Sequence, residues 1–274
     1  MSDVIVSPPG FDMESEDREA LARAVALLEH NSLASRLANL VGRQIDLAGQ
    51  LMPERARLVA ARATNLALRA ALHVAIRGVR KGAGLASSAR HKALAAATGA
   101  AGGAFGFAAL PVELPASTIV MLRAIADIAR EHGEDMSAPA TSLACLEVFA
   151  LAGKTKGGDD HMNSSYFAAR AMLARSVSEA ARYMVERGIV DETAPVLVRL
   201  VAQIAARFGV VVSQKMAAQA VPVLGALGGA VVNYAFVDHF QSMARGHFTV
   251  RALERKYGPE SVRAEYIRLL TTKA

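Results

Sequence analysis

The chain contains no tryptophan, one cysteine (Cys145), and few aromatic residues, 5% of 274. A single cysteine excludes an intrachain disulfide and points to a reducing compartment. Without tryptophan the chain lacks a residue that commonly anchors membrane spans at their interfaces. The low aromatic content argues against a β-sandwich or barrel, because strands draw on aromatic and β-branched residues. Several catalytic signatures are missing as well. There is no Rossmann fingerprint, no Walker loop, no nucleophile elbow, and no HExxH or EF-hand spacing. The glycine-rich stretch GAAGGAFG at 99–106 follows a helical pattern and lacks the GK[ST] ending of a phosphate-binding loop. Residues 1–17 have neither a basic leader nor an apolar signal region, so the expected residence is cytoplasmic.

Acid is missing over one long stretch. From Arg55 to Val112 there is no Asp or Glu, while nine Lys and Arg residues occur there, leaving 22 basic and 25 acidic residues elsewhere. The formal charge of +6 is therefore a local block. Single-sign segments of this kind bind polyanions, and a basic flank beside an apolar run fits the positive-inside pattern.

What the chain has in excess is small and aliphatic: hydrophobic residues make up 53%. Two runs carry no charge, the 20-residue Ala93–Val112 and the 22-residue Met216–Val237. Either is long enough to cross a bilayer as a helix, although Ala and Gly drive insertion less than Leu, Ile, Phe or Val. Gly99 and Gly103, Gly102 and Gly106, and Gly225 and Gly229 each stand four apart. That spacing bares the backbone on one helix face and allows close helix packing. Each glycine costs about 1 kcal/mol of helix propensity relative to alanine, which packing must offset. Two readings stay open: a buried hairpin in a soluble or peripheral protein, and membrane-embedded helices.

Helical periodicity recurs along the whole chain, so the expected fold is all-α, a multi-helix bundle around a Gly/Ala-rich, tightly packed hydrophobic core. Residues 1–17 are expected to be disordered and 18–274 to form one helical domain, with basic N-terminal helices over 18–81 and the remaining core over 88–270. Helices are expected at Arg18–His30, from Asn31 or Ser32 to Leu51, and at Pro53–Arg80. Another should run from Ser87 or Ser88 to just before Pro111, followed by Ser117–His132 closed by Gly133. Further helices are expected from Ser137 and Pro139 to Leu151, at Ser164–Arg187 and at Ala194–Phe208, with Gly209 as a separator. His247 and Phe248 read as a turn, with Thr249 capping a short helix to Tyr257 and Glu260–Leu270 last.

On the third helix Arg55, Arg62, Arg69, His73, Arg77 and Arg80 line one face. This is either an ordinary solvated face or an anionic-lipid surface carried by Arg55, Arg62, Arg69, Arg77 and Arg80. Nucleic acid is not an expected partner, because no binding motif or stacking set accompanies the stripe. A second candidate is a polar cluster of Glu113, Arg123, Asp127, Asn233, Asp238 and His239 near the ends of the uncharged runs. Glu113 leads it, because its flanks Pro111, Val112, Leu114 and Pro115 are apolar; it is either an acid–base group or a helix N-terminal partner. Arg123, Asp127 and Arg130 also read as a surface ion-pair ladder. Cys145 reads as a buried inert thiol. Asp159, Asp160 and His161 read as a solvated turn, and neither a metal nor a cofactor is expected.

LPVELP at Leu110–Pro115, MLRAIADIAREHGED at Met121–Asp135 and LACLEVFALAG at Leu143–Gly153 are joined by QIAARFG at Gln203–Gly209 and PVLGALGGAVVN at Pro222–Asn233. GHFTVRALERKYG at Gly246–Gly258 closes the series. In this order they resemble the bacterial EcsC family over roughly Arg90–Tyr266. The family is named for a protein encoded beside the components of an ABC-type transporter, and the resemblance carries no catalytic residues onto this chain. It implies a bacterial protein that is cytoplasmic, or peripheral to or embedded in the cytoplasmic membrane. The leading expectation is a non-enzymatic protein at the cytoplasmic membrane face, held by the basic helix and the apolar hairpin. The alternatives are a soluble helical enzyme or ligand-binding protein with a polar site near Glu113 and Asp238, and an accessory subunit with a membrane-transporter partner.

Overall fold

The computed structural model describes residues 13–29, 33, 36–37, 54–78, 110–153, 164–187, 191–219 and 225–272. These residues form eight helices with assigned bounds and no strand. In chain order they are α1 (Ser15–Glu29), α2 (Glu54–Gly78), α3 (Leu110–Glu131), α4 (Pro139–Leu151), α5 (Ser165–Arg187), α6 (Pro195–Gln219), α7 (Gly225–Tyr257) and α8 (Pro259–Thr272). The all-α expectation holds. The glycine pairs at Gly99, Gly102, Gly103 and Gly106, and the loop holding Asp159, Asp160 and His161, lie outside the described residues. Gly225 and Gly229 lie within α7, but the described side chains begin beyond them.

The short helix α4 is the centre of the bundle. Its sequence, PATSLACLEVFAL, has no polar face, and every residue from Leu143 to Leu151 is buried. A helix apolar all round must be covered all round, and α2, α3, α5, α6 and α7 all pack against it. Phe149 of α4 meets Phe208 of α6 at 5.2 Å and Phe240 of α7 at 5.3 Å between ring centroids. Such aromatic pairs add about 0.5–1.5 kcal/mol beyond the area they bury. Cys145 lies inside this helix, where burial pushes its thiol up to about 12. It is an inert core residue, as expected.

The helices around α4 are entered and left by repeated local devices. Asp135-Met-Ser-Ala-Pro139 and Asp191-Glu-Thr-Ala-Pro195 share one turn chemistry. The aspartate Oδ1 accepts from the backbone N–H and the hydroxyl of Ser137 at 2.8 and 2.6 Å. Asp191 does the same with Thr193 at 2.8 and 2.7 Å. A proline then opens each helix where its missing N–H costs nothing. At the end of α3, Gly133 takes φ +76° and the N–H of Glu134 reaches the carbonyl of Ala129 at 3.1 Å. That left-handed closure favours glycine.

Three local expectations are corrected. The Leu110–Pro115 segment is not a break before a helix at Ser117: the chain is helical from Leu110, through Pro111 and Pro115, to Glu131. Pro111 lies in the first turn, where N–H groups lack helical partners anyway; Pro115 lies inside the helix, whose buried face continues past it through Ser117, Thr118, Met121 and Leu122. Gly209 does not end α6, which runs to Gln219; Phe208, Val211, Val212 and Met216 keep its buried face continuous across the glycine. The turn at His247 and Phe248 does not exist either. Both are fully buried within the 33-residue α7, and Gly246 is a contact point instead of a breaker, with Leu28 of α1 lying where a Cβ would go.

Carboxylates hold the outer helices in place. Glu29, at the end of α1, accepts from the hydroxyls of Ser164 and Ser165 at 2.5 and 2.6 Å, from the Tyr166 N–H at 3.2 Å and from the Tyr266 hydroxyl at 3.0 Å. It thereby serves the free N-terminal donors of α5 and ties α8 to the same point. Burial works to raise its pKa, but these hydrogen bonds hold it below the usual range. Glu134, just beyond α3, takes both Nε and Nη2 of Arg251 at 2.9 and 3.0 Å and Nη1 of Arg255 at 2.5 Å. The segments Met121–Asp135 and Gly246–Gly258 thus dock onto each other.

The one charge in α4, Glu147, lacks such service. Burial pushes its carboxyl up to about 7, against the lowering pull of Arg170 and Arg251. A raised carboxyl pKa means that the native state holds the proton between the ordinary value and about 7, so stability falls as pH rises through that window. Above it the penalty is complete, on the order of 3 kcal/mol. Glu147→Gln should therefore be more stable than the wild type at pH 8 by about that amount, and should gain nothing near pH 4. Urea unfolding at the two pH values checks this; a variant destabilised at pH 8 contradicts it.

Candidate functional site

Helix α2 has two unlike faces. Ala60, Ala63, Ala67, Leu68, Ala71, Leu72 and Ala75 are buried, and α2 packs chiefly on α3 and α6. The opposite face carries Arg55, Leu58, Arg62, Leu66 and Arg69, spaced 3, 4, 4 and 3, which places all five in one narrow sector of the helix. All are exposed, Leu58 by 54% and Leu66 by 51%. Cationic and large apolar side chains therefore alternate along the outward ridge.

The three arginines of the ridge have no carboxylate partner among the described residues. Other exposed arginines do: Arg175 pairs with Glu179 at 2.8 Å, Arg130 with Asp127 at 2.8 Å, and Arg199 with Glu179 at 3.5 Å. The difference follows from sequence, since Glu54 is the only acid in α2. One turn beyond Arg69, His73 is engaged by Glu192 at 2.6 Å, which closes the ridge. The side chain of Arg77 and all of Arg80 lie outside the described residues. Between α2 and α6 runs a groove of ≈ 490 Å³ floored by Ala60, Ala61, Ala202 and Ala206.

The six-residue polar cluster is not gathered into one place. Glu113 is in the first turn of α3, while Arg123 and Asp127 lie ten and fourteen residues further along the same helix. At 1.5 Å per residue that is roughly 15 and 21 Å away. Arg123 is exposed, and Asp127 is taken by Arg130 on its own helix, as an ion-pair ladder requires. On α7, Asp238 is ion-paired with Arg36, and Asn233 and His239 are buried.

Glu113 is buried, as its apolar flanks imply, and it has a partner that the sequence reading missed. Lys215 of α6 is wholly buried and donates its Nζ to Glu113 Oε1 at 2.7 Å. The ammonium also lies 4.7 Å from the Phe236 ring centroid, a cation–π contact with α7. Burial lowers the lysine pKa, while the Glu113 carboxylate works to raise it. The available signal was the lone cation in the largely apolar stretch GVVVSQKMAAQA at Gly209–Ala220. The pair joins α3, α6 and α7, the geometry of a structural ion pair.

Among the described residues no group of three or more His, Cys, Asp or Glu is placed to hold a metal ion. One described helix is long and apolar enough to cross a membrane, over Pro195–Ala218 of α6, and 44% of its most apolar stretch is buried. The family model for the EcsC protein family matches residues 15–253. That span takes in α1 and α2, reaching further toward the N-terminus than the resemblance from Arg90 onward. No curated protein and no solved structure matches the chain.

Removing one member of a buried ion pair strands the other, a loss of about 3–5 kcal/mol. Lys215→Met should therefore destabilise the fold by roughly that amount, and adding Glu113→Gln to it should restore most of the loss. Urea midpoints for the wild type, single and double variants give the coupling directly. Equal stability of the single and double variants contradicts the assignment.

Proposed function

The chain belongs to the EcsC protein family, and on that footing we propose that it associates peripherally with an anionic membrane surface through the outward ridge of α2. The observation that carries this reading is the ridge itself: Arg55, Arg62 and Arg69 lack carboxylate partners among the described residues and alternate with the half-exposed Leu58 and Leu66. Cations of this kind meet lipid headgroups while the leucines enter the headgroup–acyl boundary. Each arginine near an anionic leaflet contributes about 1 kcal/mol. Three arginines with two leucines give weak, reversible and salt-sensitive binding, the energetics of a peripheral contact.

The packing favours lying on a membrane over crossing one. The inner face of α2 is committed to α3 and α6. The membrane-length helix α6 has Leu197, Leu200, Ile204, Phe208 and Val212 in the core and carries Lys215 in its buried ion pair. To span a bilayer α6 would have to leave that core and break the pair. No catalytic step enters this reading; the activity proposed is recruitment to a charged surface.

Sedimentation with vesicles of phosphatidylcholine alone and of phosphatidylcholine mixed with phosphatidylglycerol tests the proposal. The protein should bind the mixed vesicles at low salt, leave them as salt rises and ignore the zwitterionic ones. Arg55→Gln, Arg62→Gln and Arg69→Gln together should weaken binding on the order of a hundredfold. Leu58→Ser with Leu66→Ser should weaken it at every salt concentration. Equal affinity for both vesicle types, or an unaffected triple variant, would overturn the reading.

A further inference from the structure

A second surface feature lies where α4, α5, α7 and α8 meet. A groove of ≈ 360 Å³ opens there, within the size range of small-molecule sites. Glu147 forms part of its lining although only 6% of the residue is exposed. Among the described residues its carboxyl makes no hydrogen bond. Its carboxyl oxygens are in contact with the groove, so a polar group bound there would be the nearest partner available to them.

The charges around it explain why it is left over. Arg170 of α5 gives Nη1 and Nη2 to Glu254 at 2.7 and 3.2 Å, and Nη1 also to the Tyr166 hydroxyl at 3.2 Å. Arg251 of α7 is held by Glu134. Tyr166 in turn meets Nδ1 of His247 at 3.0 Å; burial first, then Arg170 and Arg251, keep that imidazole neutral. From α6, Arg207 is turned to the Ala150 carbonyl at 2.9 Å. At the rim, α8 adds Glu260 and the exposed Arg263, whose guanidinium lies 5.7 Å from the Phe167 ring centroid.

With Glu147 protonated the groove lining favours an anion: the guanidiniums of Arg170, Arg251 and Arg263 outnumber the carboxylates of Glu254 and Glu260 by one. The neutral carboxyl is then a hydrogen-bond donor at the groove with no acceptor among the described residues. Beside it, Phe167, Ala171, Ala174 and Val177 present one apolar strip of α5 to the groove, at spacings of 4, 3 and 3. We propose that this groove binds a small organic acid, whose carboxylate accepts a hydrogen bond from the Glu147 carboxyl and faces Arg263 while its apolar body lies along the α5 strip. Binding is consequently linked to one proton. As Glu147 ionises it loses its donor and repels the ligand, so affinity for an acid falls as pH rises past about 7.

The full chain is titrated with hexanoate and benzoate, and with hexylamine and benzylamine as cationic counterparts, by ligand-observed NMR at pH 6 and pH 8. The acids should bind at pH 6 and bind roughly tenfold more weakly at pH 8, following the protonated fraction of Glu147; the amines should not bind. Glu147→Gln keeps a donor of the same shape, so it should bind the acids with equal strength at both pH values. Arg263→Gln, at the exposed rim and remote from the core, should weaken the acids at both pH values and supplies the readout if the Glu147 variant folds poorly. The proposal is overturned by preferential binding of the amines, by a tenfold pH effect that persists in Glu147→Gln, or by no binding of either acid to the wild type at pH 6.

Discussion

The architecture depends on one constraint: α4 has no side that tolerates water. From Leu143 to Leu151 every residue is buried, so the neighbouring helices have to close around a cylinder about 10 Å across. That requirement explains why α2, α3, α5, α6 and α7 all touch it. It also explains the phenylalanine contacts that Phe149 makes with α6 and α7. A charge placed on such a helix cannot be turned outward, and Glu147 inherits its raised pKa from that geometry more than from any particular neighbour.

Helices so arranged still need orientation, and carboxylates provide it at two points. Glu29 gathers donors from the start of α5 and from α8, and Glu134 gathers two arginines from α7. Both lie at helix ends, where backbone groups are free and partners from distant sequence can meet. Both also have their pKa held down by those donors despite burial. Hydrogen-bonded charges of this type are costly to break singly. The fold therefore has an apolar centre that sets compactness and a charged periphery that sets the register between helices.

Helix type and most helix positions were legible in the sequence because they depend on local periodicity and turn chemistry. Pro139, Gly133 and Gly258 mark boundaries where they were expected. Pro115, Gly209 and the His247–Phe248 pair misled, and for one reason: a local breaker is overridden when the buried face continues across it. At Gly209 the apolar spacing resumes immediately, and at His247 the imidazole is itself a core group. The basic ridge was legible as a face, but Leu58 and Leu66 as its exposed members were not, since leucine is ordinarily read as core. Glu113 does not meet Arg123 or Asp127, because residues ten or more apart on one helix cannot converge. Lys215 and Glu147 were passed over because each is a single charge inside an apolar word, and a single charge has no pattern.

The two unpartnered charge features carry different weight. On α2 an unpaired arginine costs nothing, because water solvates it; the feature becomes informative only through repetition, with three arginines on one ridge, acid absent from the rest of the helix, and leucines exposed among them. Inside the groove a single carboxyl with no hydrogen bond among the described residues is informative alone, because burial penalises its charged form. The two features also rest on different helices around α4: the ridge belongs to α2, and the groove is lined from α4, α5, α7 and α8. A surface engaged through α2 would therefore use none of the residues that line the groove of α5, α7 and α8. Recruitment and ligand binding would then be separate events in one molecule, coupled only through whatever a proton on Glu147 does to the packing of α4.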